Sequence, residues 1–486
     1  MTSVQSDEST EPQKKPGHPV EPTSAPTPRR TMSNAARLGT GALVLLIVLC
    51  GLTLIAGFLN KDRCSGPSFD SQGRSEPELS RRHTGEFCYS DIAFLWVGRD
   101  INNHVFPYIH GRLDEKNMPV GGVVEYPVLT GVLIWAGAIL ATNDAQFLFF
   151  SGLLLAPFGL LIAWQLGRLS RWRALLWALG PPLILYAFHN WDLPVVATAV
   201  AAVYVMHRGW GRAGVHRPLM HRAIVAAVLL GLGFALKLYP ALFVLPLMFY
   251  VFTGGRGGLE LPAGKRYDTR GALRVAGVAA GTVVLANLPF AVLGFEGWKA
   301  SFVFQGLRRA DVTTNSIWYW GFRPGSDNPG TQTLISVLSP TLMVISFAVA
   351  CLIGWRRYKR EGTYPWIAVS AAMLCGFLLL HKVHSPQYTL WILPMFVLMN
   401  IRWGWIAAYL FADIAMGIGI FVYYEAGIFG KPDGIQDGLA AQAVVVGVWG
   451  RAALLIGLFF AFLAARSTVD EEADGEPADQ VASRPA

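Results

Sequence analysis

The sequence predicts an all-α polytopic membrane protein with about twelve transmembrane helices and further juxtamembrane helices on the outer surface. Composition is the first observation: of 486 residues, 53% are hydrophobic and 15% are charged, whereas soluble domains carry roughly 25% charged residues. The apolar residues stand in long runs, and the positive charges collect in the connections between these runs. A net charge of +8 therefore fits a membrane protein with basic cytoplasmic loops better than a nucleic-acid-binding protein.

The chain begins with a polar segment that has no apolar period. Residues 1–36 are rich in Pro, Ser, Thr, Glu and Lys, which predicts a disordered cytoplasmic tail. Residues 38–59 follow without a charge, and this run is long enough to cross about 30 Å of hydrocarbon. Three arginines precede the run, so the tail stays inside by the positive-inside rule. The predicted membrane domain covers residues 37–465, and residues 466–486 form a second, acidic, disordered cytoplasmic tail.

The remaining predicted spans are apolar runs separated by basic connections. The runs lie near 146–166, 174–188, 193–206, 223–239, 241–252, 275–293, 334–354, 364–380, 388–400, 403–423 and 438–465. The basic connections are 168–173, 208–222, 256–274 and 355–360. All four connections are placed in the cytoplasm, because positive loops remain inside.

This topology decides the place of one ambiguous run, residues 126–141. If the run crossed the membrane, the basic connection at 168–173 would lie outside. We therefore expect it to lie flat on the outer surface, as a juxtamembrane or re-entrant helix. Both termini are then cytoplasmic, and residues 60–145 form a first outer loop. Cys64 and Cys88 fall in this loop, where the compartment permits a disulfide that would close a loop of 25 residues.

Two carboxylates in the first outer loop are candidates for chemistry. Asp91 opens a helical pattern, where it is either a helix-capping residue or a base that accepts a proton from a substrate hydroxyl. Glu125 stands before the surface run, where a helix dipole favours a carboxylate and where it could also contact a sugar or an acceptor.

Polar residues also interrupt the apolar runs on the predicted outer side. His189, Asn190 and Asp192 occupy a short turn that either needs polar residues for its own backbone or binds a ligand. Lys237 ends an apolar segment and precedes Tyr239, so its ammonium needs an anion or a polar cavity, unless it reaches the interface.

A third group suits an anion better than a metal. The turn at 381–387 holds His381, Lys382, His384 and Gln387, and an intervening lysine would repel a cation. Further predicted phosphate or sugar contacts are Arg308, Arg309 and Trp318. The alternative for these residues is interfacial anchoring or contact with anionic lipid. No cofactor is required by these residues, although a divalent cation stays open, and the usual nucleotide and hydrolase motifs are missing from the sequence.

Together these motifs resemble the C-type glycosyltransferases, a class of polytopic membrane enzymes (the GT-C fold). The features that carry the resemblance are a long first outer loop with an early Asp, the EYP motif at 125–127, a polar turn ending in Asp192, the K-x-Y-P of 237–240 and the H-x-x-H-x-x-Q of 381–387. Within this class the motifs resemble those of glycosyltransferase family 87, which includes polyprenyl-phosphate-mannose-dependent mannosyltransferases of actinobacteria. The resemblance covers about residues 38–465.

The resemblance implies a reaction and a set of roles. A polyprenyl-phosphate sugar would donate mannose to an acceptor hydroxyl of a cell-envelope glycolipid or polysaccharide, on the outer face of the plasma membrane and with inversion. Asp91 would be the general base. The leaving phosphate would contact Lys237, His381, Lys382 and His384, followed by Arg308 and Arg309. The sugar or the acceptor would contact Glu125, His189, Asp192, Trp318 and Gln387.

Three other readings stay open. The transferred sugar could be arabinofuranose. A lipid or sugar carrier would also need many spans, but the sequence lacks the related halves that such carriers show. A membrane scaffold would use the outer polar residues only as interfacial anchors.

Overall fold

Apolar segments in lipid must satisfy their backbone hydrogen bonds internally, and this chain does so with α-helices. The computed structural model describes residues 38–76, 88–208, 217–322, 325, 328–428 and 438–469. Within these residues the helices, numbered in chain order, are α1 Thr40–Asp62, α2 Asp91–Gly98, α3 Val128–Ala138, α4 Asp144–Ser170, α5 Leu175–Ala178, α6 Pro181–Tyr186, α7 Asp192–Arg208, α8 Leu219–Leu236, α9 Val244–Phe252, α10 Thr269–Leu293, α11 Phe295–Leu307, α12 Ile317–Phe322, α13 Pro329–Glu361, α14 Trp366–Leu380, α15 Thr389–Leu398, α16 Trp403–Ile428 and α17 Leu439–Ala464. Short 3-10 helices cover Ile101–Asn103, Arg171–Ala174, Tyr239–Phe243, Arg256–Gly258, Val312–Thr314 and Pro386–Tyr388.

Eight helical segments in the described part of the chain are long and apolar enough to cross a membrane. They are Thr40–Asp62, Asp144–Ala178, Leu219–Leu236, Tyr239–Gly258, Thr269–Leu293, Pro329–Glu361, Trp403–Tyr424 and Leu439–Ala464. Shorter apolar helices cover Val128–Ala138, Asp192–His207 and Trp366–Leu380. The predicted class, an all-α polytopic membrane protein, is confirmed. The count of about twelve spans stays a prediction.

One predicted span is broken in the structure. The sequence predicts a single span over 174–188, but the helix stops at Ala178 and a new helix begins at Pro181. Pro181 and Pro182 supply no backbone N–H, so a continuous helix through them would lose hydrogen bonds and clash with the preceding turn. This break places the end of α6 directly before the polar turn at 189–192.

The ambiguous run at 126–141 forms a short helix. Its helical part, α3, has 11 residues, which corresponds to about 16 Å at 1.5 Å per residue. That length cannot cross about 30 Å of hydrocarbon. Thr130 on this helix donates to the backbone oxygen of Leu236 at the end of α8 (2.7 Å). The helix therefore packs beside the residue that precedes Lys237.

The first predicted loop is folded wherever the structure describes it. Two small antiparallel hairpins pair β1 Ser68–Phe69 with β2 Ser75–Glu76, and β3 Arg112–Leu113 with β4 Pro119–Val120. A disulfide joins Cys64 to Cys88, with their Cα atoms 6.2 Å apart. Arg74 donates to the backbone oxygens of Ala93 and Phe94 and so holds α2 against the first hairpin.

Arg451 interrupts the last apolar run, and the sequence allows two places for it: near the outer surface, in a helix that starts near Val448, or buried against a carboxylate. We expect the first from the sequence, but α17 begins at Leu439 and leaves Arg451 1% exposed. Its Nη1 lies 3.2 Å from Oδ1 of Asp413 on α16. Tyr186 and Thr389 also donate to this carboxylate, at 2.9 and 2.6 Å. The arginine is therefore buried as half of a neutral pair between two apolar helices.

Several arginines of the predicted basic connections cap helix ends. Arg173 donates to the backbone oxygens of Phe396 and Met399 at the end of α15, and Arg357 donates to those of Leu463 and Ala465 at the end of α17. The last carbonyls of a helix have no partner within the helix, so these cations stabilise them.

The predicted tails lie outside the described residues, apart from 466–469. This short segment differs from the prediction, because it pairs with the backbone that follows α15. Asn400 donates its N–H to the oxygen of Arg466 (3.0 Å), and Ser467 is buried beside Met399. The backbone groups at the end of α15 have no partners within the helix, and pairing with residues 466–469 satisfies them.

Candidate functional site

The site is built around Asp91, the first residue of α2. Its backbone N–H donates to the oxygen of His189 (2.8 Å), and the neighbouring Ser90 hydroxyl donates to the oxygen of Phe188 (2.6 Å). These two bonds fix the start of α2 against the polar turn that follows α6. The sequence places Asp91 in the first turn of a helix, and the structure agrees.

Both oxygens of the Asp91 carboxylate accept hydrogen bonds. The Tyr89 hydroxyl donates to Oδ1 and the Asn190 amide to Oδ2, each at 2.6 Å. Burial raises the pKa of Asp91 above its ordinary value, and the nearby Glu125 raises it further, while the bonds from Tyr89 and Asn190 and the charge of Lys237 oppose the shift. A carboxyl with a raised pKa is a stronger proton acceptor than an exposed aspartate.

Asn190 connects Asp91 to the rest of the site. Its amide nitrogen donates to Asp91 and also to the hydroxyl of Tyr126 (2.7 Å). Its amide oxygen accepts from the ammonium of Lys237 (3.0 Å). One buried side chain therefore joins the first loop, the polar turn and the segment after α8.

Lys237 has an anionic partner, as its position at the end of an apolar segment predicts. The residue ends α8 in an extended conformation, and its Nζ lies 2.7 Å from Oδ1 of Asp192, the first residue of α7. The ammonium also lies 5.5 Å from the ring centre of Tyr126 and 5.8 Å from that of Trp391. The pair is buried, so Lys237 and Asp192 largely neutralise each other before any ligand is present.

Glu125 is also paired. The guanidinium of Arg99 donates to both of its carboxylate oxygens, the shorter bond being 2.7 Å. The amide of Gln305, on α11, donates to the backbone oxygen of Glu125. The bond from Gln305 ties α11 to the first loop at Glu125.

The turn at 381–387 is predicted to bind an anion, and His381, Lys382 and His384 are its three groups that can carry positive charge. Burial lowers the pKa of His381 to about 4 and that of His384 well below its ordinary value. Both imidazoles are therefore neutral near pH 7, and Lys382 is the cation of the three. Its Nζ donates to the backbone oxygens of Gly306 and Arg308 at the end of α11.

An aromatic stack connects this turn to Lys237 and Asp192. The ring of Tyr388 lies 3.8 Å from that of Trp391, which in turn lies 4.6 Å from that of Tyr239. Trp391 donates its indole N–H to Oδ1 of Asp192 (2.7 Å). His384 stacks more distantly on Tyr388, at 6.3 Å. The predicted phosphate turn and the predicted polar turn therefore belong to one site.

The three other predicted contact residues differ in their exposure and surroundings. Arg308 is half-buried and its backbone meets Lys382, whereas Arg309 is exposed. Trp318 is buried with Ala310 and Ile335 and donates to the oxygen of Leu380 (2.7 Å). These are the contacts of a packing residue, and stacking of Trp318 on a sugar stays a prediction.

His189, Gln387 and His384 lie within the site. The ring of His189 lies 5.2 Å from that of Tyr89. In the described part of the chain, Nε2 of His384 and Oε1 of Gln387 are buried polar atoms without a hydrogen-bond partner. Such atoms are costly to bury unless something binds them.

Several site residues were missed from sequence. Tyr126 and Trp391 contribute through hydrogen bonds between distant segments, although Tyr126 stands in the EYP motif and Trp391 follows the Gln387 turn. Tyr89 contributes through a bond to Asp91, two residues away. For a metal ion, the described residues contain no group of three or more His, Cys, Asp or Glu side chains that could hold one.

The chain was compared with known proteins. Residues 195–424, just under half of the chain, match the family model described as Mannosyltransferase (PIG-M). The matched part contains Lys237, Arg308 and the turn at 381–387, and it begins three residues after Asp192. No curated protein matches the chain.

Two solved structures are similar in arrangement. One is ArnT from Cupriavidus metallidurans bound to undecaprenyl phosphate, at 15% identity and a TM-score of 0.35, covering 92% of this chain and 80% of that one. The other is the archaeal oligosaccharyltransferase AglB from Archaeoglobus fulgidus in complex with an inhibitory peptide and a dolichol-phosphate, at 12% identity and a TM-score of 0.34, covering 85% of this chain and 56% of that one. Likenesses at these TM-scores carry no argument by themselves. The mannosyltransferase model and the polytopic helical structure together support the predicted enzyme class: the chain is a membrane glycosyltransferase.

Proposed function

We propose that the chain transfers mannose from a polyprenyl-phosphate donor to a hydroxyl of a cell-envelope glycolipid or polysaccharide, on the outer face of the membrane and with inversion. One observation carries this proposal. The carboxylate of Asp91 is joined through Asn190 to Lys237 and Asp192, in a chain that matches a mannosyltransferase model. A proton acceptor and a polar, charged site thus lie side by side.

Asp91 is the base in this proposal. Its carboxylate takes the proton of the acceptor hydroxyl as that oxygen attacks the anomeric carbon of the donor. The bond between the anomeric carbon and the phosphate oxygen breaks at the same time, and the polyprenyl phosphate leaves with the electron pair. Tyr89 and Asn190 hold the carboxylate in place before the reaction, which avoids reorganisation during it.

The leaving phosphate needs hydrogen-bond donors and positive charge. Lys382 and Arg308 supply charge at the end of α11, and the unpartnered Nε2 of His384 supplies a further polar contact. Lys237 acts beside them, although Asp192 already shares its charge. His381 and His384 act as neutral hydrogen-bonding groups.

The depth of the turn favours a donor with a lipid tail. Helices α14 and α15 have 15 and 10 residues, or about 22 and 15 Å, whereas crossing the hydrocarbon takes about 30 Å. The turn between them therefore lies within the depth of the membrane, where non-helical backbone occurs only inside protein or along a polar cavity. A polyprenyl phosphate entering from the bilayer would bring its phosphate to this depth.

A transfer assay in proteoliposomes tests the proposal. Purified protein is reconstituted with acceptor glycolipid and with polyprenyl phosphate carrying labelled mannose or labelled arabinofuranose. We expect label from the mannose donor to become covalently attached to the acceptor, with the anomeric configuration inverted. Label that crosses the bilayer still attached to its polyprenyl carrier would show a carrier, and transfer from the arabinose donor alone would overturn the sugar assignment.

A further inference from the structure

Lys61 is a buried lysine that the mechanism above does not use. It lies in the last turn of α1 and is 3% exposed. Its Nζ donates to the backbone oxygen of Tyr89 (2.7 Å), two residues before Asp91. A buried ammonium is costly, so its position calls for a compensating interaction.

The end of α1 holds the start of α2 at two points. Lys61 binds the carbonyl of Tyr89. The disulfide with Cys64 anchors Cys88, the residue directly before Tyr89. The N–H of Cys64 donates to the oxygen of Lys61, so both anchors arise from one turn. These two contacts hold Asp91 in position relative to the end of α1, in addition to the contacts that it makes with the polar turn at 189–192.

Two of the cations near the site already have carboxylate partners. Arg99 binds Glu125, and Lys237 binds Asp192. The hydrogen bonds that reach the Asp91 carboxylate come from neutral groups. Lys61 attracts the Asp91 carboxylate electrostatically, as does Lys237, whose charge Asp192 already shares.

We propose that Lys61 is a positioning residue for Asp91, which holds the Tyr89–Asp91 segment and keeps the Asp91 carboxylate in its ionised, proton-accepting form. The proposal rests on the proposed role of Asp91 as the base. Lys61 contacts neither substrate nor reacting atoms in this account, and it acts through Asp91.

Other groups facing Asp91 act on its ionisation as well. From the elements packed around it these are Tyr89, Glu125, Tyr126, Asn190, Lys237 and Tyr388. Lys61 differs from them because it acts from α1 and binds the backbone of Tyr89. It donates no hydrogen bond to the carboxylate itself, so replacing it removes its charge without removing a donor to Asp91.

The test follows Asp91 directly, in the full-length protein. The infrared carbonyl band of protonated Asp91, identified by its loss in D91N, is titrated in wild type, K61M, K61Q and K61R. We expect the midpoint to rise by about one pH unit in K61M and K61Q, since both lose an opposite charge near the carboxylate. K61Q keeps a donor for the Tyr89 carbonyl, and K61R, which keeps the charge, should titrate as wild type does.

A control variant tests whether loosening α2 is enough to shift the midpoint. R74M removes the donors to Ala93 and Phe94, together with a cation that lies 3.6 Å from the carboxylate of Asp144, and its Asp91 midpoint should stay at the wild-type value. An unshifted midpoint in K61Q, or an equal shift in R74M, would overturn the proposal. Transfer rates measured over pH should show the same shift in K61Q with recovery at high pH. If D91N retained near-normal transfer, Asp91 would not be the base, whatever the titration shows.

Discussion

Asp91 combines three properties that a general base in a membrane enzyme needs. Hydrogen bonds from Tyr89 and Asn190 hold its carboxylate in place. Burial raises its pKa, so that its proton affinity lies closer to neutral pH. Its position at the start of a short helix brings it beside a turn whose residues come from elsewhere in the chain. Asp91 follows the N-cap residue Ser90, and its carboxylate accepts hydrogen bonds from Tyr89 and Asn190 rather than capping the helix.

Asn190 should control the acid limb of the reaction. Its bond to the carboxylate favours the ionised form, so N190A should raise the pKa of Asp91 further. The base must be deprotonated to act, and transfer is therefore lost as the pH falls through this pKa. We expect the acid limb of N190A to lie at higher pH than that of wild type, as measured by transfer rates from pH 4 to 8. A limb at lower pH, or one that does not move, would show that Asn190 does not act on the base.

At the level of helices, the buried pair Asp413–Arg451 joins α16 and α17 and also reaches α6 and α15 through Tyr186 and Thr389. The two helices pack closely here, since a Cβ added at Gly447 would collide with the Cβ of Met416. A charge buried in this position is not solvated by water. The pair therefore fixes the alignment of four helices beside the turn at 381–387.

Breaking this pair should cost more than replacing it. R451M leaves a buried carboxylate without its cation and should lower the free energy of unfolding by about 3–5 kcal/mol. The double variant D413L/R451M removes both charges and should recover most of that loss. Thermal unfolding in detergent would measure both. Equal stability of the single variant and wild type would show that water or lipid headgroups solvate Asp413.

Sequence patterns predicted some of these elements and could not predict others. The short helix at 126–141 followed from charge bias, and the first-turn position of Asp91 followed from helix-start preferences. The partner of Arg451 could not be read, because Asp413 lies 38 residues away in another apolar run and no local pattern pairs them. Neutral imidazoles at His381 and His384 were missed for a similar reason, since their burial depends on distant segments.

For the whole molecule, the membrane topology remains the main prediction. By the positive-inside rule, the four basic connections and both termini are predicted to lie in the cytoplasm, and the short α3 then lies on the outer surface. A reporter fused after residue 143 should therefore register as external, with a fusion after residue 362 as the internal control. A cytoplasmic signal after residue 143 would place the first loop inside and invert the side on which the site opens.

The central claim concerns the whole enzyme: sugar transfer that depends on Asp91 as the base. The measurement is the transfer rate from polyprenyl-phosphomannose in membranes containing wild type, D91N or D114N, together with donor binding. D114N alters an exposed aspartate of the same loop that binds only its own turn, so it serves as the matched control. We expect D91N to bind donor normally and to lose at least about 100-fold in rate, while D114N keeps the wild-type rate. Near-normal transfer by D91N would contradict the account.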